Sequence, residues 1–317
     1  MQSSQVNISS KSELLMDAPM FVKMMLMQAL VGFFLYVNCL MIFTFLKKEV
    51  FWEDTRYILF AQMLFVDSAV MVLTDVLLIG SFYQLRIHMI SCIIMCVVVS
   101  TLTCCSPLTL VAMCLERYVA ICMPLRHANI STSRTRFFGF LIIWSISSIT
   151  ALFTFIAYLS VVRPGPLFSY VICGLEIMLE KEWQAQARAV ILLVFFLLMI
   201  IIIVFTYIKI MIAARAASSE KKNSTNKSLR TVLLHAFQLF LCIMQFLTPY
   251  IEMPFWKLDV KVFNNVRYTN LVVFIIAPRC LSPLIYGLRD EKFFAGLRHY
   301  AMCGLTSLSQ RRSVNRK

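Results

Sequence analysis

The chain has 317 residues, of which 60% are apolar and only 15% charged, with 8 Gly and a mean hydropathy of +0.79. Such a composition excludes an ordinary soluble domain, a disordered tail and a fibrous repeat, and leaves a polytopic membrane protein. The net charge of +14 is read as a set of topology determinants rather than a nucleic-acid face, because the basic residues fall beside the apolar runs.

In chain order, Lys11, Glu13 and Asp17 precede the first apolar run. That is not the pattern of a cleaved leader, so the first run is expected to act as an uncleaved anchor. A bilayer crossing needs about 20 apolar residues in a helix. Seven runs meet this: Met24–Leu46, Tyr57–Ile79, Ile90–Cys114, Phe137–Val161, Arg188–Ala213, Thr231–Ile251 and Tyr268–Leu288. The expected organisation is an outer tail over 1–23, a helical bundle over 24–288 and an inner segment over 289–317. Loops 47–56, 119–136 and 214–230, with the tail, hold most of the Lys and Arg. The positive-inside rule therefore puts them in the cytoplasm and the N-terminus outside.

The sequon Asn7-Ile8-Ser9 then lies in the outer tail, where a glycan can be added; those at Asn129, Asn223 and Asn226 face the cytoplasm and are expected to be silent. Most of the eleven cysteines lie inside apolar runs and read as small buried hydrophobes. No Cys-x-x-Cys or histidine-rich spacing suggests a metal site, and no cofactor is expected.

Polar side chains inside the runs must face the bundle and find partners. Asn38 and Asp67 fall in the inner halves of the first two runs, and Arg279 lies one turn before Pro283 in the seventh. Arg279 is expected to meet Asp67, as either a conformational switch or a structural pair. At the end of the third run, Glu116 and Arg117 sit together at the membrane boundary, able to hold each other at rest and to release when a partner docks. Beyond the seventh run, Phe293, Phe294 and Leu297 share one helical face. Asp290–Met302 thus reads as a short amphipathic helix on the inner surface, with Cys303 open to palmitoylation.

The phrase from Met113 to His127, Met-Cys-Leu-Glu-Arg-Tyr-Val-Ala-Ile-Cys-Met-Pro-Leu-Arg-His, resembles the end of the third helix and the second inner loop of rhodopsin-like G-protein-coupled receptors. It is similar in particular to odorant receptors of the fish type. The run Ser282-Pro283-Leu284-Ile285-Tyr286 resembles the family's Asn-Pro-x-x-Tyr with Ser in place of Asn. His235, near the start of the sixth run, resembles the family histidine associated with activation. Cys242-Ile243-Met244-Gln245 stands where the wider family has Cys-Trp-x-Pro, so a mechanism built on that tryptophan does not carry over.

The resemblance implies an all-α, seven-transmembrane helix bundle with a short amphipathic eighth helix in the plasma membrane. It implies a disulfide between Cys92 and Cys173, and a polar cluster of Asn38, Asp67, Arg279 and Ser282. It assigns coupling and activation to Glu116, Arg117, Tyr118, Tyr207, His235 and Tyr286. The ligand would lie in the outer half among Val99, Ser100, Thr103, Cys104, Phe195, Phe246, Tyr250, Val272 and Ile276, an apolar wall with a few hydroxyls.

Val99 stands where amine receptors carry aspartate, and the seventh run has no lysine for a retinal Schiff base. No hydrolase motif is present. The expected partners are a small-molecule odorant, a heterotrimeric G protein of the stimulatory olfactory type and membrane lipid, with no nucleic acid. Two alternatives stay open: a chemosensory-like receptor for an endogenous ligand outside olfactory tissue, and a small-solute transporter.

Overall fold

The computed structural model describes residues 3–47, 49–126, 132–162, 169–216, 219–256 and 260–287. Among the described residues seven long helical elements follow one another, α1 (Ser3–Lys47), α2 (Thr55–Phe82), α3 (Met89–Cys122), α4 (Ser133–Leu159), α5 (Glu182–Ala216), α6 (Ser219–Trp256) and α7, with short helical turns at Val50–Glu53 and Leu175–Met178 between them. Element α7 has three parts, an α-helix Val260–Asn270, a π-helical stretch Leu271–Ile276 and an α-helix Ala277–Gly287. Every apolar run read from the sequence lies within a helix or meets its end within two residues, and most of the helices run past their apolar limits. The α1 backbone is already helical at Ser3, across the segment read as an outer tail.

Five stretches are long and apolar enough to cross a membrane: Phe21–Lys47, Thr55–Phe82, Met89–Cys122, Ser133–Leu159 and Glu182–Ala213. At 1.5 Å per residue, helices of this length reach roughly 40–50 Å, beyond the ~30 Å hydrocarbon core. Their outward faces are apolar. On α5, Val190, Leu193, Val194, Leu197, Leu198, Ile201, Val204 and Phe205 are all exposed. Lipid can cover such a face, whereas water would not favour it.

Local signals set the ends. Asp54 caps α2 by accepting from the Arg56 N–H at 2.9 Å, and Thr132 caps α4 by accepting from the Thr135 N–H at 3.3 Å. At the other end of α2 the chain turns through Gln84 in the left-handed region (φ 54°), with the Leu85 N–H on the Gly80 carbonyl. It then enters strand β1 (Arg86–His88), which pairs antiparallel with β2 (Tyr170–Ile172), His88 opposite Tyr170.

Helix α3 is the axis of the bundle, packing against α2, α4, α5 and α6. Its inward side carries Cys96, Val99, Cys105, Leu110, Met113 and Cys114, each at most 1% exposed. One core cluster joins α3 to α1, α2 and α4, with Leu110 and Met113 of α3 beside Met41 of α1, Met63, Leu64 and Val66 of α2 and Ile143 of α4. Another joins it to α5 and α6 through Val111, Cys114, Phe196, Ile203, Ile210 and Leu239. The β1–β2 pair, two strands from distant parts of the chain set side by side as in a hairpin, lies at the opposite end of α3 from Glu116 and Arg117, so the bundle has a hairpin end and an arginine end.

Candidate functional site

Midway along the bundle lies a buried polar core. Asp67 on α2 is 1% exposed, and both its oxygens are occupied: Ser106 Oγ on α3 donates to Oδ1 at 2.6 Å, and Ser282 Oγ on α7 donates to Oδ2 at 2.7 Å. Gln238 on α6 donates from Nε2 to Ser282 Oγ at 2.7 Å and to the Pro278 carbonyl at 2.8 Å. Three helices thus meet at one carboxylate, and α6 joins them through Ser282. Asn38 on α1, fully buried, donates to Ser68 Oγ at 3.1 Å, one residue along α2 from Asp67.

Arg279 corrects the expected ion pair. It is buried, 3% exposed, but it makes no contact within 4.0 Å with Asp67. Its Nη1 donates to Gln245 Oε1 on α6 at 3.4 Å and to the Ile275 carbonyl one turn back on α7. The reason is occupancy and direction. Ser106 and Ser282 each donate to one oxygen of the carboxylate, and the guanidinium extends toward the hairpin end, where Gln245 and the Ile275 carbonyl accept it. The two charges still act on each other at longer range. Sequence reasoning missed Ser106, Gln238, Gln245 and Ser68. Their signal was present, because each is a polar residue in an apolar run.

At the arginine end, Arg117 Nε lies 3.8 Å from Glu116 Oε2, with the two side chains 19% and 10% exposed. Tyr118 packs its ring on Phe205 of α5, centroids 5.7 Å apart, and Tyr207 joins the same cluster. Cys122 Sγ donates to the Lys209 carbonyl at 3.7 Å. Adjacent elements are tied in by Arg136 of α4, whose Nη1 donates to the Glu53 carbonyl at 2.7 Å. The result is a mostly buried arginine on an α3–α5 base.

At the hairpin end, Cys92 and Cys173 form a disulfide with Cα atoms 5.5 Å apart. Cys173 follows β2 directly, so the strand pairing and the covalent bond hold the same loop on α3. Gln184, 1% exposed at the start of α5, donates to the Ala157 carbonyl of α4 at 2.8 Å and accepts from the Lys181 N–H at 3.0 Å.

The expected ligand wall is only partly assembled. A narrow recess, with about 10 Å³ of room and partly open to the outside, is lined by Cys104, Pro107, Leu108, Ile146, Leu192, Phe195, Phe196 and Met199. It lies among α3, α4 and α5. Of the residues expected from sequence, Cys104 and Phe195 line it. Phe246 packs on Phe196 with ring centroids 4.9 Å apart. Val99 and Thr103 are buried, and Ser100 is half-buried. Val272 and Ile276 instead pack with Met27, Val31 and Met71 of α1 and α2. The π-helical stretch explains this departure: the Ala277 N–H bonds to the Val272 carbonyl five residues back. The wider turn rotates these residues out of the phase of a regular helix.

Four expected residues, Asn7, His235, Tyr250 and Tyr286, sit on helices with side chains outside the described residues. The amphipathic segment 290–302 and Cys303 lie outside them entirely.

Residues 37–286 match the family described as 7 transmembrane receptor (rhodopsin family). The chain is also 53% identical to Odorant receptor 131-2 of Danio rerio over 283 residues, covering 89% of this chain and 87% of that one.

Proposed function

This chain belongs to the rhodopsin family of seven-transmembrane receptors, and from that membership we propose that it is an odorant receptor coupled to a heterotrimeric G protein. The observation that carries this is identity of 53% across 89% of the chain with a protein named as an odorant receptor. The protein is a multi-pass membrane protein and a receptor rather than an enzyme.

In this reading the hairpin end faces outward and receives a small, mostly apolar odorant in the cavity lined by Cys104, Leu192, Phe195, Phe196 and Met199. The recess has only about 10 Å³ of room, against about 300–1,000 Å³ in ligand sites, so an odorant has to open it on entry. A compact odorant is favoured, one whose entry spreads α3 from α5. The arginine end faces the cytoplasm, where the basic loops suit an inner leaflet. A docking G protein separates Arg117 from Glu116 there. The stimulatory olfactory class of G protein, a glycan at Asn7 and a lipid on Cys303 belong to the same proposal.

The test is a panel of small odorants applied to cells bearing the receptor at their surface, with cyclic AMP as the readout. Concentration-dependent cyclic AMP, absent in cells without the receptor, supports the reading. Solute flux with no G-protein activation by any member would favour a transporter and overturn it.

A further inference from the structure

Three sulfurs, not two, meet beneath the β1–β2 hairpin. Cys96 lies one helical turn along α3 from Cys92 and is a fully buried free thiol. Its Sγ is 4.0 Å from Cys92 Sγ and 4.0 Å from Cys173 Sγ, and it donates to the Gly174 carbonyl at 3.5 Å. All three sulfurs are within 4.8 Å of one another. Packing alone does not require sulfur at this position, whereas a thiol touching both halves of a disulfide has chemistry available to it.

We propose that Cys96 is a second covalent anchor for Cys173, so that the loop can be tied to α3 at either of two positions one helical turn apart. In the exchange, the Cys96 sulfur, as thiolate, attacks Cys173 Sγ. The Cys96–Cys173 bond forms as the Cys92–Cys173 bond breaks, and Cys92 leaves with the electron pair and takes up the proton released by Cys96. No outside oxidant or reductant enters the balance.

Cys96 stands equally far from both sulfurs and so approaches from the side. Displacement needs the attacker in line with the leaving sulfur, so a rotation of the Cys96 or Cys173 side chain comes first. That rotation, together with the hydrogen bond holding the thiol on the Gly174 carbonyl, keeps the resting bond at Cys92. Attack on Cys92 instead would link two residues of one helix four positions apart, and would leave the loop untethered. The productive partner is therefore Cys173. Bond formation draws the two sulfurs from 4.0 Å to the ~2.0 Å of a disulfide. It also moves the loop's anchor four residues along α3, about 6 Å down the helix axis. The segment after β2, with Met178 buried against the same cluster, would sink toward the interior of the bundle.

The test uses the full-length receptor in cells, with Cys92→Ser, Cys96→Ser, Cys173→Ser and the double variant Cys92→Ser/Cys96→Ser. In Cys92→Ser the two remaining thiols are oxidised by the same class of reagent that forms the native bond during synthesis, a protein or glutathione disulfide. Non-reducing peptide mapping is expected to find a Cys96–Cys173 link in Cys92→Ser. Surface delivery of that variant should be several-fold above that of Cys173→Ser and of the double variant, with Cys96→Ser close to the unsubstituted chain. Free thiols at both Cys96 and Cys173 in Cys92→Ser would overturn the proposal whatever the surface level. Because the readout is a bond, it stands apart from the receptor's ligand and its G protein.

Discussion

Ser282→Ala tests the polar core at its junction. The substitution removes a hydroxyl that donates to Asp67 at 2.7 Å and accepts from Gln238 at 2.7 Å. A hydrogen bond to a charged group contributes about 1.5–3 kcal/mol and a neutral one about 0.5–1.5 kcal/mol. Gln238 keeps its bond to the Pro278 carbonyl, which limits the second loss. The expected destabilisation is therefore about 2–4 kcal/mol. The decisive quantity is coupling. Asp67→Asn and Ser282→Ala share a contact and should couple by about 0.5–3 kcal/mol in a double-mutant cycle. Asp67→Asn and Arg279→Gln share none, and long-range attraction alone should leave a smaller term. Thermal unfolding of the detergent-purified receptor measures both cycles, using the fluorescence of a thiol-reactive dye on newly exposed cysteines. A coupling energy for Arg279 equal to or above that for Ser282 would show that the ion pair, not the serine bridge, holds the carboxylate.

Arg117→Ala should abolish ligand-driven cyclic AMP while surface delivery holds, because Arg117 lies at the arginine end, away from the disulfide and the Asp67 cluster; flow cytometry beside the cyclic AMP assay checks both halves. Cys173→Ser removes the one loop cysteine in the three-sulfur cluster and should cut surface delivery sharply, a native disulfide being typically worth about 2–5 kcal/mol. Met199→Trp should fill the cavity it lines and raise the concentration of any active odorant needed for half-maximal response, with surface delivery retained; an unchanged response would place the ligand elsewhere. Gln184→Ala strips a buried bridge between α4 and α5, and unfolding should be easier by about 1–3 kcal/mol.

The helices were legible because a bilayer crossing demands a long apolar run, and a long run leaves little to misread. The polar core was half legible. Asp67, Asn38, Ser282 and Arg279 are conspicuous in apolar surroundings, so their burial followed. Their partners did not, because a carboxylate is served equally well by two hydroxyls or by a guanidinium, and only the geometry decides. The ligand wall was least legible. On α5 the run from Ala189 to Phe205 is apolar on every face, so no periodicity says whether Phe195 or Phe196 turns inward, and both line the cavity. On α7 the phase was assumed regular, and the π-helical turn broke that assumption.

The bonds of Gln238 say where the bundle can give way. Helix α6 is fastened to α7 by two short hydrogen bonds from one side-chain nitrogen, and through Ser282 to the carboxylate that also binds α3. Two turns toward the hairpin end Gln245 accepts a longer bond from Arg279, and two turns further Glu252 accepts from Asn270 Nδ2 of α7 at 3.0 Å. The contacts of α6 with α5 are apolar, made by residues such as Leu239 and Phe246, and apolar surfaces can slide without leaving a polar group bare. With α6 held to α7 at Gln238 and at Glu252, a swing of its inner end about the Gln238 clamp, along the apolar α5 face, costs less than pulling it from α7. The polar core then serves as a pivot, with the cavity on one side of it and Arg117 on the other. A change in α5–α6 packing beside Phe196 and Phe246 can reach the arginine end through the same rigid helix, without any rearrangement at Asp67 itself.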